Sequence, residues 1–472
     1  MAEHYTSGSG ETHQVYAPTR RRLIAVAGLV GLTLASPLAR ASQVANVLVK
    51  SDPKISKTND ENSREKQTDL EHKLQSDLQA IYMDTEGFLQ QLDKQKYKKL
   101  SKDEMQAEAK YLTELSLHMG MPHLRGLLWY HACERLDTQA VLDTLVKHIT
   151  PPEEERITAF EEGYAFEGVG LIGCGSSKKV TKEQRKALAE VLQPRKGVPD
   201  YINISALRAG ALVGQTYKKE EQKALLEKYY RYLEEAVKEP HQLDLRETEE
   251  THISDHTLEH LLWTCGSMDG IGGLQDELRD RKLTKDNRIK KILDSGEPIP
   301  TFKTVRDPLK NLYDAWKDHG KRQRKRNTWG SVKIAGKEDY EDNFRTMMDA
   351  TRSDIKHFLQ VVAKTISLGE ITGMSGNASP GSRTIRLPTN LLKTRDPKGL
   401  VASLTHEATH LLDVIYGTYQ EGKPSHYKEE SPFVTAITTE NIMDQSKHSP
   451  SASILHNRLI RKLKKQHWKK HW

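Results

Sequence analysis

Cysteine is scarce in this chain: Cys133, Cys174 and Cys265 are the three among 472 residues. They allow at most one bridge and leave an odd thiol, which excludes a disulfide-built scaffold. Aromatic residues make up only 6% and apolar residues 36%, while charged residues reach 29%. That is polar for a globular chain, yet too apolar and too well patterned for full disorder. Long hydrophobic runs are lacking too. One stretch near the N-terminus approaches spanning length, so a multi-span membrane protein is excluded. Acid is missing from residues 451–472, which carry Arg458, Arg461, Lys462, Lys464, Lys465, Lys469 and Lys470, matching the whole net charge of +7. The remainder is balanced, so the basic character belongs to a tail, and no nucleic-acid motif accompanies it. The length admits one to three domains and a sizeable core.

What is present begins with an export pattern over 1–41. Thr19-Arg-Arg-Arg-Leu-Ile24 precedes the apolar run Leu23 to Ala35, and Ala39-Arg40-Ala41 has the small-x-small form cut by signal peptidase. The Arg pair, the polar leader 1–18 and the charge at Arg40 resemble a twin-arginine signal. This predicts a periplasmic or secreted protein; the alternative is an uncleaved membrane anchor over 23–38.

Residues 42–69 are polar and rich in Lys, Asn, Asp and Ser, and read as a linker. From 70 to 330 a helical period dominates, with Leu74, Leu78 and Ile81 on one segment and Leu112, Leu115 and Leu117 on another. Lys182-Glu-Gln-Arg-Lys-Ala-Leu-Ala-Glu190 and Lys219-Glu-Glu-Gln-Lys-Ala-Leu-Leu-Glu227 align at an offset of 37 residues. Each follows an apolar helix of small residues, with Gly170 and Gly173 in one and Gly210 and Gly214 in the other. A helix pair at that period is the mark of an α-solenoid, with an irregular bundle as the alternative. The fold class expected is mainly α: a helical domain over 70–330 and a small α+β domain over 338–450. The basic knot Lys321-Arg-Gln-Arg-Lys-Arg326 marks the junction near 325–338.

The strongest chemical signal lies in Leu400-Val-Ala-Ser-Leu-Thr-His-Glu-Ala-Thr-His-Leu-Leu-Asp413. On a helix, His406 and His410 project from one face and can hold one ion, with Glu407 beside the water that the ion carries. Leu400, Leu404, Leu411 and Leu412 can bury the other side. The bland alternative is two histidines on an ordinary amphipathic helix.

With its uncharged surroundings, this segment resembles the active-site helix of the HExxH zinc metallopeptidases, the zincins. The resemblance covers 338–450. Upstream, Phe344, Met347, Met348, Ile355, Phe358, Leu359 and Val362 form a helix stripe, and Thr384-Ile-Arg-Leu387 alternates like a strand. Helix, strand, then HExxH helix is the zincin order, and it implies that backbone near Arg383–Leu387 is the edge beside a bound peptide. Metzincins place a third His soon after the motif, following Gly; neither residue stands at those positions here.

In the gluzincin-like subclass the third ligand is a Glu from a later helix. Ser431-Pro432 has the form of an N-cap followed by Pro at the first helical position. A helix continuing from His410 to about Gly417 runs roughly 10 Å at ~1.5 Å per residue, and an antiparallel partner returns to the same level about 8 residues after Pro432. That lands on Glu440. Glu440-Asn-Ile-Met-Asp444 resembles the Glu-x-x-x-Asp of thermolysin-like enzymes, where the Asp orients a ligand histidine. Glu429 and Glu430 are the rival ligands.

A second signature, His256-Thr-Leu-Glu-His260, has the inverted HxxEH form. It resembles inverzincins and the zinc helix of S-ribosylhomocysteine lyases, but their flanking strands are absent, since 230–290 reads as helix throughout. With His252 the pair makes a row of structural histidines; a second zinc site is the alternative.

The zincin resemblance implies a secreted zinc-dependent endopeptidase. Zn2+ would be held by His406, His410 and Glu440, Glu407 would be the catalytic base, and Asp444 would stand behind a ligand. His426 and Tyr427 are the candidate oxyanion helpers, and a protein or peptide is the substrate. The tail 451–472, with Ile454, Leu455, Leu459, Ile460 and Leu463 at helical spacing and Trp468 and Trp472 at its end, suits an anionic membrane surface or an acidic partner. The alternative, from another class, is a helical-repeat interaction protein whose HExxH segment is structural or inactive.

Overall fold

A computed structural model describes residues 60–418 except 96, 150–158, 176–180, 182, 184–187, 189–190, 196–199, 239–254, 295–298, 300, 324–331, 350, 370–375 and 394–396. The side chains of 60–68, 98, 159–160, 200–201, 255–256, 322–323, 393 and 397–398 also lie outside the description. The expected export signal over 1–41 and the basic tail over 451–472 fall outside it as well.

The protein is mainly α with a small mixed sheet. Its first part is α1 (Asp60–Met83), α2 (Thr85–Lys94), α3 (Lys102–Leu117), α4 (Pro122–Arg135), α5 (Thr138–Ile149), α6 (Ala159–Gly173), α7 (Asp200–Gly214), α8 (Lys219–Lys238), α9 (Asp255–Asp280), α10 (Asn287–Asp294) and α11 (Pro308–Gln323). Among the described residues no strand precedes Lys333. The helix starts follow local chemistry. Glu104 N–H donates to Ser101 Oγ at 3.3 Å while Ser101 N–H donates to Glu104 Oε2 at 2.7 Å, a reciprocal cap on α3. Pro122 opens α4, where its missing N–H costs nothing.

Two expectations need correction here. Residues 60–69, expected in the linker, begin α1. Their Glu, Lys, Gln and Arg are good helix formers, and polarity alone does not distinguish a solvated helix from a linker. The stretch 230–290 is not helical throughout: α9 carries a break at Gly270, with φ 79° and ψ 160°, and Lys282 takes a left-handed turn before α10.

The small-residue helices pack on one another. A Cβ on Gly170 would meet Ala209 Cα at 3.0 Å, and one on Gly173 would meet the Val213 side chain, so α6 and α7 run side by side in the same direction. α9 continues the layer: Thr264 Oγ1 donates to Leu207 O at 3.2 Å, and Met268 lies against Gly214. From α8, Tyr229 donates its hydroxyl to Leu192 O at 2.7 Å. Of the first nine-residue repeat copy, 182–190, only Glu183 and Leu188 are described.

The second part is β1 (Lys333–Ala335), α12 (Glu338–Asp349), α13 (Ser353–Val362), β2 (Thr365–Gly369), β3 (Asn377–Ser379), β4 (Thr384–Pro388), α14 (Thr389–Lys393) and α15 (Pro397–Tyr416). β1 shows that this region starts earlier than the 338 expected; a three-residue strand shows too little alternation to be recognised. The single stripe expected from Phe344 to Val362 is two helices. The chain breaks before Ser353-Asp354, a helix-starting pair, and Arg352 closes onto Asp354 through its Nε at 3.0 Å.

The sheet order is β1-β2-β4-β3, with β1, β2 and β4 parallel and β3 antiparallel to β4. Ile334, Ile366 and Ile385 stand in register, as do Leu368 and Leu387, and all five are buried. α15 packs on β3, β4 and α13. α11 packs on α4, α13 and α15, so one continuous apolar core runs from Ile81 to Tyr416 through both parts.

Candidate active site

α15 carries the HExxH segment. It opens at Pro397 and stops at Gly417, whose φ of 73° and N–H bond to Asp413 O at 3.0 Å are the left-handed cap that glycine supplies. Leu400, Leu404, Leu411 and Leu412 are buried, as expected of its inner face. His406 and His410 are half-buried one turn apart, with ring centroids separated by 5.1 Å and planes at 79°. Glu407 is buried between them in sequence.

Glu407 packs against Gly376, just before β3. A Cβ at Gly376 would lie 3.0 Å from Glu407 Cγ and 3.1 Å from its Oε1, so a larger residue there would make the Glu407 side chain give by a few tenths of an ångström. The sequence singled out neither Gly376 nor this contact, because the two residues meet only through the β3–α15 packing. A glycine immediately before a short strand was the available signal.

The expected substrate edge is corrected. β4 is an interior strand, bonded to β2 on one side and β3 on the other, so Arg383–Leu387 offers no free edge. Arg383, at φ 52°, donates its Nε to Val362 O at 2.7 Å, and its own carbonyl accepts from Lys364 N–H at 2.8 Å. Among the described residues the outer strand beside α15 is β3, Asn377–Ser379. Alternating residues mark a strand but not its place in the sheet.

The far end of α15 is held by the helical part. Arg208 on α7 bonds Asp413 Oδ1 at 2.5 Å, and Asn311 on α11 donates to Tyr416 O at 3.1 Å. Lys303 N–H donates to Thr418 O at 2.7 Å.

Glu440, Asp444, Glu429, Glu430, His426 and Tyr427 lie outside the described residues. Among the described residues no third His, Cys, Asp or Glu groups with His406 and His410. Of the HxxEH row, His252 is outside the description, as is the His256 side chain. His260 is buried against Trp263, ring centroids 4.1 Å apart. Among the described residues Glu86, His319 and His357 do form a ligand-type group, on α2, α11 and α13. Their separation in sequence left no spacing to read. Cys133, Cys174 and Cys265 are unbridged.

No family model matches the chain, and no curated protein or solved structure matches it.

Proposed function

We propose that the protein is a zinc-dependent endopeptidase whose active site is built on α15. The observation that carries this reading is the placement of Glu407: it is buried against Gly376 at the outer strand, while His406 and His410 share the adjacent half-buried face. Two imidazoles one turn apart are a donor set that suits zinc, and Glu440 is the carboxylate proposed to complete it. Bound there, zinc supplies Lewis-acid chemistry and makes a water acidic enough to react near neutral pH.

The chain's own residues do the rest. Glu407 accepts the proton of the attacking water at its carboxylate and passes it to the leaving amine. The outer edge of β3 can receive an extended peptide by strand addition, with alternate side chains turned towards α15. Leu400, Leu404, Leu411 and Leu412 lock the helix, so the histidines and Glu407 keep their relative positions without reorganisation.

Export rests on the 1–41 pattern alone. Among the described residues no helix is long and apolar enough to cross a membrane. The second reading, a helical-repeat protein that binds partners, draws on the same-direction stacking of α6, α7 and α9. The test is peptide cleavage and zinc retention in ligand variants. His406→Ala and His410→Ala should abolish cleavage, and Glu440→Ala should weaken zinc retention much more than Glu430→Ala. Cleavage unaffected by either histidine change refutes the assignment; a reversed order of the two Glu variants moves the third ligand to Glu430.

A further inference from the structure

The group at the α2–α11–α13 junction is buried where polar side chains are costly. His319 and His357 are 0% and 2% exposed, and Glu86 is half-buried beside them. One ligand-type atom from each of the three lies within 4.8 Å of the others. Zn–N and Zn–O bonds of ~2.0–2.1 Å in a tetrahedral site place neighbouring donors about 3.3 Å apart, so closure needs only side-chain adjustment.

We propose that Glu86, His319 and His357 form a second metal site, structural and separate from His406 and His410, for a divalent cation of the zinc class. Two imidazoles and one carboxylate favour zinc over magnesium or calcium, which take oxygen donors. The surroundings hold the donors as a metal site requires. Gln90 Nε2 donates to Glu86 Oε1 at 2.8 Å and Trp316 Nε1 to Glu86 Oε2 at 3.1 Å. His357 Nε2 lies 2.9 Å from Glu86 Oε2, and its Nδ1 lies 2.9 Å from His123 Nε2. With the cation on the Nε2 side, His123 fixes the ring from behind, the role that outer partners play for ligating histidines. His123 itself is clamped by stacking on Phe358, centroids 4.9 Å apart.

The three ligands come from three helices, and α13 packs directly on α15. A cation here cross-links the helical part to the element that supports the HExxH helix, and its loss should lower thermal stability.

The test is metal content in the full chain carrying His406→Ala and His410→Ala, which removes the other pair and is read without any cleavage assay. After equilibration with zinc and removal of excess, this chain should hold one zinc. Chelation should lower its unfolding temperature, and zinc should restore it. Adding Glu86→Gln and His319→Asn should remove both the zinc and the chelator effect. Zinc-edge anomalous scattering from wild-type crystals reads the same site without those substitutions, with a peak expected between Glu86, His319 and His357. A His406→Ala/His410→Ala chain that binds no zinc overturns the proposal. So does retention of zinc after Glu86→Gln and His319→Asn, which would point to His256 and His260, and so does the absence of that peak.

Discussion

Arg208 and Asp413 join the helical part to the HExxH helix through one ion pair, 2.5 Å long, with side chains 13% and 4% exposed. Arg208 also reaches Thr418 Oγ1 at 3.4 Å, just past the end of α15. A charge this buried is costly once its partner is gone, whereas replacing both by apolar residues of similar volume is tolerated. Arg208→Ala should therefore destabilise by about 3–5 kcal/mol. Arg208→Met combined with Asp413→Leu should cost clearly less than the sum of the single changes. Thermal or urea unfolding of the four-member cycle checks this; strict additivity would show that the pair does not couple the two parts.

Gly376 tests the packing of Glu407 against the sheet. Its missing Cβ leaves room for the Glu407 carboxyl, which a methyl would crowd at 3.0–3.1 Å. Gly376→Ala should displace Glu407 by a few tenths of an ångström and lower kcat by roughly tenfold or more while changing KM little. Steady-state kinetics separate the two. A variant with wild-type kcat would mean that Glu407 is not held in a working position by this strand.

His131 on α4 gives the fold a sign-defined response to acid. Both ring nitrogens are buried without a partner among the described residues, and the ring packs edge-on to Tyr313 and Trp316. Burial, assisted by Arg135, pushes its pKa from 6.5 to about 3. Between those values the unfolded chain takes up a proton that the folded chain refuses. This contribution to stability is complete above pH 6.5 and is lost as the pH falls towards 3. His131→Leu should flatten that loss, so that at about pH 5 the variant gains on the order of 2 kcal/mol on wild type compared with neutral pH. Urea unfolding at the two pH values measures it; parallel pH profiles would contradict it.

Local signals made α15 legible: its histidine spacing, its apolar inner face and the glycine that stops it all lie within about twenty residues. The mainly α class was legible from the same kind of periodicity, and β4 from the alternation of Ile385 and Leu387. The short strands β1 and β3 were not, because three residues carry too little pattern. Nor was the position of β4 inside the sheet, since strand order depends on contacts between distant segments. The Gly376–Glu407 contact and the Glu86–His319–His357 group share that cause. Each joins residues from separate elements, and only the packing of α13 and α15 under α11 and beside β3 brings them together.

The most direct measurement of the proposed chemistry is turnover of a peptide library by wild type and Glu407→Gln, with zinc determined on the same preparations. Glutamine keeps the shape of the buried side chain but cannot accept the water's proton. The variant should retain its zinc and its unfolding temperature while hydrolysis falls by roughly 10²–10⁴-fold. Wild-type turnover in a folded, zinc-loaded Glu407→Gln protein would contradict the peptidase assignment.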